Sequence, residues 1–162
     1  TSPPATWAHS VAKAGARAGG GPLPYRHAIE SSFGRDLGQV RAYSGASARA
    51  ATGALNANAL ARGNDVLFST PPDLRTSAHE ATHVVMQQAG LAPGSGIGSR
   101  GDAFERRADR VAERVVAGES ARDRLPAQQV QGGSAVQLEE KALRLQRERD
   151  ALNLDMILSF KQ

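Results

Sequence analysis

The segment TSAHEATHVVMQQAG, residues 76–90, carries two histidines in the order H-E-x-x-H. His79 and His83 are four positions apart, so on a helix their side chains lie on one face, one turn apart. Two imidazoles at that spacing can bind one zinc ion, whose nitrogen ligands lie about 2.0–2.1 Å away. Glu80 stands beside the first histidine, where a carboxylate can take a proton from an attacking water molecule. The motif predicts a zinc site with Glu80 as its catalytic residue; an ordinary helix with two histidines is the alternative.

A catalytic zinc site needs a third protein ligand, and a later helix offers one. Glu105 lies 22 residues after His83, and Asp109 follows Glu105 by one helical turn. Glu105 is the predicted third metal ligand. Asp109 is the predicted acceptor for a histidine N–H, a contact that fixes the orientation of the ring. Glu105 also stands three residues after Asp102, where a glutamate can serve as part of a capping box, so both roles stay open.

The remaining composition narrows the kind of metal site. The longer motif H-E-x-x-H-x-x-G-x-x-H is excluded, because Met86 and Ala89 occupy the positions of its glycine and third histidine. The chain has no cysteine, so disulfides are excluded and a metal must be bound by histidine and carboxylate.

His27 and Tyr43 are candidates for polarising a substrate carbonyl or oxyanion, although His27 also fits an ordinary surface position.

Turn and cap residues predict the elements that would position these side chains, and together they give an α+β fold class, mostly helical with a small sheet or hairpin. Before the motif the pattern predicts, in order, a helix at 25–34 ended by Gly34, a strand at 39–44, a helix at 46–57 and a hairpin at 58–69 that turns at Gly63 and Asn64. If residues 65–69 have a free strand edge, an extended peptide could pair with it; the sequence does not show which edge is free.

Two capped helices are predicted to carry the motif residues. The first is predicted to begin at TPPD with Thr70 as its cap, and to run to Ala89. The second is predicted to begin after Asp102 and to end at Gly118. Its apolar stripe consists of Phe104, Ala108, Val111, Ala112 and Val115.

Composition also predicts the domain organisation. Residues 1–24, rich in glycine, alanine and proline, are predicted to be a flexible leader, and 25–120 a single domain. Residues 121–137 are predicted to be a linker, and 138–162 an amphipathic helix with near-heptad leucines. Pairing of that helix with a partner coil would make the chain an interaction module, which is one reading of its function.

Charge and hydropathy exclude two classes of partner. The net charge of +4 is mild, and arginines alternate with carboxylates over 100–124. That alternation predicts a solvated helix face with i,i+4 pairs, whereas a nucleic-acid groove requires an unbalanced basic stripe with stacking aromatics. Aromatic residues make up only 4% of the chain, so no nucleic-acid partner is expected. No run of eighteen apolar residues occurs, so no membrane-spanning helix is expected.

Four segments carry a resemblance to a known family. They are, in chain order, SSFGRDLGQVRAYS, ALARGNDVLFS, SAHEATHVVMQQ and DAFERRADRVAERVVAG. In order and approximate spacing they resemble the small metallopeptidase-like domain of bacterial cargo and toxin proteins that are encoded with extracellular contractile injection systems. The ligand pattern resembles the thermolysin-like, or gluzincin, clan. The chain departs from many relatives at Tyr43, where they have histidine, and in the less leucine-rich approach to the motif.

The resemblance implies a minimal zincin-like fold with zinc bound by His79, His83 and Glu105. It also implies that Glu80 is the base and that Asp109 is a second-layer residue that contacts a metal ligand. It also implies zinc-dependent hydrolysis of a peptide or protein substrate by an effector or toxin cargo. The substrate could be its own chain near QVQGGSAVQ, residues 129–137. Implied partners are particle components, with loading in the bacterial cytoplasm before secretion or delivery to a target cell. The alternative is a non-catalytic packaging or adaptor domain with the same fold.

Overall fold

The computed structural model describes residues 13, 14, 16, 19–91 and 103–128. From residue 21 onward the chain order in these ranges is β1 (Gly21–Pro22), α1 (Arg26–Phe33), β2 (Arg41–Tyr43), α2 (Ala46–Ala54), β3 (Ala59–Arg62), β4 (Asp65–Phe68), α3 (Leu74–Gln88), α4 (Ala103–Val116) and a short 3-10 helix (Arg122–Arg124). The predicted α+β class with a small sheet is confirmed.

The four strands form one mixed sheet in the order β1-β2-β4-β3. β1 is antiparallel to β2, β2 is parallel to β4, and β4 is antiparallel to β3. The predicted hairpin is confirmed: Arg62 pairs with Asp65, and Gly63 takes a φ of 58° in the turn, which glycine adopts without steric cost. The suggestion of a free edge at residues 65–69 is wrong, because β4 lies between two strands. The outer strand on this side is β3.

The two faces of the sheet pack against different helices. Val66 belongs to the larger apolar cluster together with Val84 of α3 and Val111 of α4. Leu67 belongs to a smaller cluster with Ala51 of α2. Since side chains alternate across a strand, these neighbours on β4 face opposite layers. The helix with the H-E-x-x-H motif is therefore fixed against one face of the sheet.

The start of α3 differs from the sequence-based prediction. The cap is Asp73, whose side chain accepts a hydrogen bond of 2.7 Å from the backbone N–H of Thr76, and the helix begins at Leu74. Thr70 was the predicted cap. A proline disfavours the helical conformation of the residue before it, so Pro72 keeps Pro71 out of the helix and the start moves to Asp73.

Helices α3 and α4 lie side by side and antiparallel. Three facing pairs join them: Arg75 with Glu113, His79 with Asp109, and His83 with Glu105. Glu105 and Asp109 face the histidines of α3, as the predicted ligand and acceptor would. Glu113, for which the charge alternation predicted an i,i+4 pair on its own helix, faces Arg75 of α3. The predicted cap Asp102 lies outside the described residues.

The packed unit extends past both predicted limits of 25–120. At its start, β1 pairs with β2, and Leu23 is buried. At its end, the segment 119–126 lies against α1: Ser32 donates to the carbonyl of Glu119, Ala121 donates to the carbonyl of Ser32, and Arg35 donates to the carbonyl of Pro126. Most of the predicted leader, residues 129–137 of the predicted linker and the predicted helix 138–162 lie outside the described residues.

Among the described residues, no helix combines the length and apolar character needed to cross a membrane.

Candidate metal centre

The two histidines of the motif converge on one point beside α4. His79 and His83 lie one turn apart on α3, and their Nε2 atoms are 3.1 Å from each other. The ring centroids are 4.8 Å apart, with the ring planes inclined by 65°. Their side chains are largely buried, with exposed fractions of 19% and 13%. The α3 backbone thus presents two imidazole nitrogens to a shared position at the helix interface.

Glu105 brings a carboxylate to the same point from the first turn of α4. One of its oxygens lies 3.3 Å from Nε2 of His79, and the other lies 3.1 Å from Nε2 of His83. The ligand atoms of the three residues all lie within 4.8 Å of one another. The capping-box alternative for Glu105 stays open, because the residue it would cap lies outside the described range.

The three residues fit a zinc ion in both chemistry and spacing. Two imidazole nitrogens and a carboxylate oxygen form a ligand set that zinc binds readily. Two nitrogens at zinc–ligand distance in a tetrahedral arrangement are about 3.3 Å apart. The observed separation of 3.1 Å is close to that value. Three protein ligands also leave one of the four tetrahedral positions for water or substrate, as in catalytic sites.

Asp109 lies behind the first histidine, on the side away from the shared point. Its Oδ1 is 3.1 Å from Nδ1 of His79. A carboxylate at Nδ1 favours a proton on that nitrogen and leaves the Nε2 lone pair directed at Glu105 and His83. Asp109 therefore lies where the predicted orienting acceptor of His79 would lie.

Glu80 is buried beside this cluster, with 6% of its surface exposed. Burial, with a smaller contribution from the charge of Glu105, raises the pKa of Glu80 to about 8. In the described part of the chain the fully buried side-chain atoms without a partner are Nε of Arg35 and Oγ of Ser77, so a Glu80 oxygen that lacks a hydrogen bond retains some access to water. A largely buried carboxylate next to a ligand cluster is available to bind a water molecule.

The two candidate carbonyl-polarising residues lie elsewhere. His27 points to solvent with 89% of its side chain exposed and lies 3.7 Å from Glu30 of its own helix. Tyr43 packs in the smaller apolar cluster, on the sheet face opposite to α3. Burial, together with the charge of Asp65 and a hydrogen bond to it, raises the pKa of Tyr43. The structure brings together His79, Glu80, His83, Glu105 and Asp109, and it does not bring His27 or Tyr43 to them.

Sequence-based reasoning missed one residue near the site. This residue is Gln87, in the last turn of α3. Its side-chain amide accepts a hydrogen bond of 2.7 Å from the backbone N–H of Gly63 and donates one of 2.9 Å to the carbonyl of Ala61. The available signal was its spacing, since Gln87 lies two helical turns after Glu80 and hence on the same face of α3.

Comparison with known proteins gives one family. No curated protein and no solved structure matches the chain. Residues 21–91 match the family described as the eCIS core domain. The matched region runs from β1 to the end of α3 and contains His79, Glu80 and His83, whereas Glu105 lies beyond it. Through this region the chain is similar to the core domain of extracellular contractile injection systems and is associated with those systems.

Proposed function

We propose that the chain is a zinc-dependent peptidase domain of a cargo protein of a contractile injection system. One observation carries the proposal: two imidazoles and a carboxylate from neighbouring helices converge on a point beside a second carboxylate, that of Glu80, which is largely buried. A purely structural metal site does not require the last feature. A hydrolytic site does, because the attacking water needs a base.

The proposed mechanism assigns one task to each residue. Zinc, when bound, would act as a Lewis acid toward the peptide carbonyl and make water more acidic. His79, His83 and Glu105 would hold the ion, and Asp109 would keep the His79 ring in the orientation that binding requires. Glu80 would take the proton from the attacking water and pass it to the leaving amine. Burial raises the pKa of Glu80, and a cation bound beside it would favour the ionised carboxylate that can accept the proton.

The test compares Glu80→Gln with the unaltered chain, both loaded with zinc. Glu80→Gln keeps the size of the side chain and removes the base. We expect zinc content to stay the same and peptide hydrolysis to fall by at least about 100-fold. The matched control is Glu113→Gln on α4, where the native carboxylate is 60% exposed and pairs with Arg75. Hydrolysis at the same rate in all three proteins would refute the proposal.

Self-cleavage is one form that the activity could take, with the segment 129–137 as a candidate substrate. That segment lies outside the described residues, so the proposal rests on its sequence alone. Incubation of the zinc-loaded chain, followed by mass measurement, tests it. A shortened chain is expected only when Glu80 is present.

The family match supports a second candidate, a non-catalytic adaptor that loads cargo into the injection particle. The matched region ends before α4 and so does not include the third ligand. Both candidates imply particle components as partners and delivery by a secreted injection system. They differ in one outcome: loading of cargo that is unaffected by Glu80→Gln, together with no hydrolysis by the native chain, would favour the adaptor.

A further inference from the structure

The helix α4 has one face of carboxylates and another of arginines. Its carboxylates, at positions 105, 109 and 113, recur every four residues and contact side chains of α3. Arg106 and Arg110 each follow one of these carboxylates, so they lie about 100° further round the helix, on the side away from α3. The two charges alternate along the sequence, but the folded helix separates them.

The arginine face lacks compensating carboxylates. Arg107 and Arg110 are exposed, and within the described part of the chain they make no ion pair or hydrogen bond. Arg114 on the same face is already engaged, because its guanidinium donates to the carbonyl of Ser120 and to the carboxylate of Asp123. Two guanidinium groups one turn apart therefore have N–H donors for an external partner. The fork of an arginine fits a carboxylate through two parallel hydrogen bonds.

This face borders the side on which the candidate metal centre is most exposed. The side chain of Asp109 is 53% exposed, whereas none of the side chains of His79, His83 and Glu105 exceeds 23%. The centre therefore opens to solvent beside Asp109, and Arg110 is the next residue along α4. A peptide that reaches the centre from this side would pass the guanidinium of Arg110.

We propose that this centre takes acidic substrates: peptides with aspartate or glutamate side chains near the bond to be cleaved, bound through Arg107 and Arg110. This inference rests on the proposed peptidase function. The two arginines are then specificity-determining residues, which attract and orient the substrate and take no part in the bond cleavage.

An acidic preference also bears on self-cleavage. The segment PAQQVQGGSAVQ, residues 126–137, contains no charged side chain. It therefore lacks the feature that the arginine face would recognise. The preferred substrate is then another protein, and cleavage of this segment would be slow by comparison.

The experiment measures peptide binding to the zinc-loaded full chain with Glu80→Gln, so that hydrolysis does not consume the probe. Three peptides of equal length are compared: PAQQVQGGSAVQ, the same peptide with its four glutamines replaced by glutamate, and the same peptide with them replaced by lysine. Glutamate differs from glutamine in charge and hardly in size. Fluorescence anisotropy gives the dissociation constants. We expect the glutamate peptide to bind about two- to tenfold more tightly than the glutamine peptide, and the lysine peptide to bind more weakly than both.

Replacing Arg107 and Arg110 together with glutamine should remove most of this preference, because the peptide loses its ionic partners. The matched control replaces Arg49 and Arg124 with glutamine; both are exposed, and the net charge falls by the same amount. The control should keep the preference. This comparison separates a local contact from the general attraction of a basic chain for anions. Salt at about 1 M, which screens charges beyond about 3 Å, should also reduce the preference.

Equal loss of preference in the two double variants would overturn the inference, as would equal affinity for the three peptides or no binding of the glutamate peptide. Hydrolysis by the native chain decides the two proposals separately. If it cleaves the glutamine and glutamate peptides with equal kcat/KM, the acidic preference fails and the peptidase proposal stands. If the expected affinities occur and the native chain hydrolyses no peptide, the acidic preference stands and the peptidase proposal fails.

Discussion

Oδ1 of Asp109 lies 3.1 Å from Nδ1 of His79, the ring nitrogen opposite to the one that faces the shared point. This places a carboxylate of α4 behind a candidate metal ligand of α3. Glu105 sits one turn earlier on the same helix and faces Nε2 of both histidines. Two carboxylates four residues apart thus contact opposite sides of the His79 ring, as a metal ligand and an orienting acceptor would.

The first prediction concerns this orienting contact. Asp109→Ala should weaken zinc binding by about 10–100-fold, because the His79 ring loses the acceptor that fixes its tautomer and rotation. Competition with a chromophoric chelator measures the affinity. Asp109→Asn should weaken it less, since an amide oxygen can still accept from Nδ1. Equal affinity of Asp109→Ala and the native chain would show that the contact does not position the ring.

The second prediction concerns zinc as a link between α3 and α4. Zinc at a free concentration about 100 times its dissociation constant should stabilise the native chain by about 2.7 kcal/mol, because it binds the folded state. Glu105→Gln should lose most of this gain. Thermal unfolding with and without added zinc measures both. A zinc-induced gain of the same size in Glu105→Gln would remove Glu105 from the ligand set.

Local chemistry explains why most of the site could be predicted. His79, His83 and Glu80 follow from spacing on one helix, and Gly63 at the turn follows from the need for a positive φ. The start of α3 was mispredicted because the effect of Pro72 on Pro71 outweighed the cap at Thr70. That error was also local, and the two adjacent prolines were its available signal.

The remaining features depend on contacts between distant segments. The sequence does not reveal that β3 is the outer strand, because strand order follows from how the elements pack. The bonds of Gln87 to the hairpin join residues 24 and 26 positions apart. The bond of Ser32 to Glu119 joins residues 87 positions apart. Periodicity within one element carries no information about such pairs, so the end of the domain was placed too early.

The third prediction tests the helix cap. Asp73→Ala should lower the melting temperature by roughly a few degrees, since the N–H of Thr76 loses its acceptor. The hydrogen bond from Thr76 lowers the pKa of Asp73. The cap therefore stabilises above the unfolded-state pKa of about 3.9, and this contribution is lost as the pH falls through the lower folded-state value. Thr70→Ala is the control and should leave the melting temperature unchanged; the reverse ranking would restore Thr70 as the cap.

The fourth prediction tests the segment that follows α4. Leu125 is 8% exposed and belongs to the larger apolar cluster. Leu125→Ala should lower the free energy of unfolding by about 2 kcal/mol through lost burial and a residual cavity. Leu91 is 40% exposed and supplies the matched control. Leu91→Ala should change the free energy of unfolding by less than about 0.5 kcal/mol. Denaturant unfolding measures both, and equal effects would mean that residues 121–125 are not part of the packed domain.

The fifth prediction concerns the buried carboxylate of Glu80 in chelator-treated protein. Burial and the Glu105 charge raise the pKa of Glu80 to about 8, well above its unfolded value. The folded state then holds this proton more tightly than the unfolded state, so the stability it contributes is complete below about pH 4.5 and is lost as the pH rises toward about 8. Glu80→Gln removes this pH dependence.

Near pH 8, metal-free Glu80→Gln should therefore be more stable than the metal-free native chain, and the advantage should shrink near pH 5 by up to about 1.4 kcal/mol per pH unit. Denaturant unfolding of both proteins at each pH measures the difference between their free energies of unfolding. The contributions of other titrating groups, which the two proteins share, cancel in this difference. Zinc should reduce the advantage, because a nearby cation favours the ionised carboxylate. A difference that does not vary with pH would place Glu80 in contact with water or an unrecognised partner, and would weaken its assignment as the base.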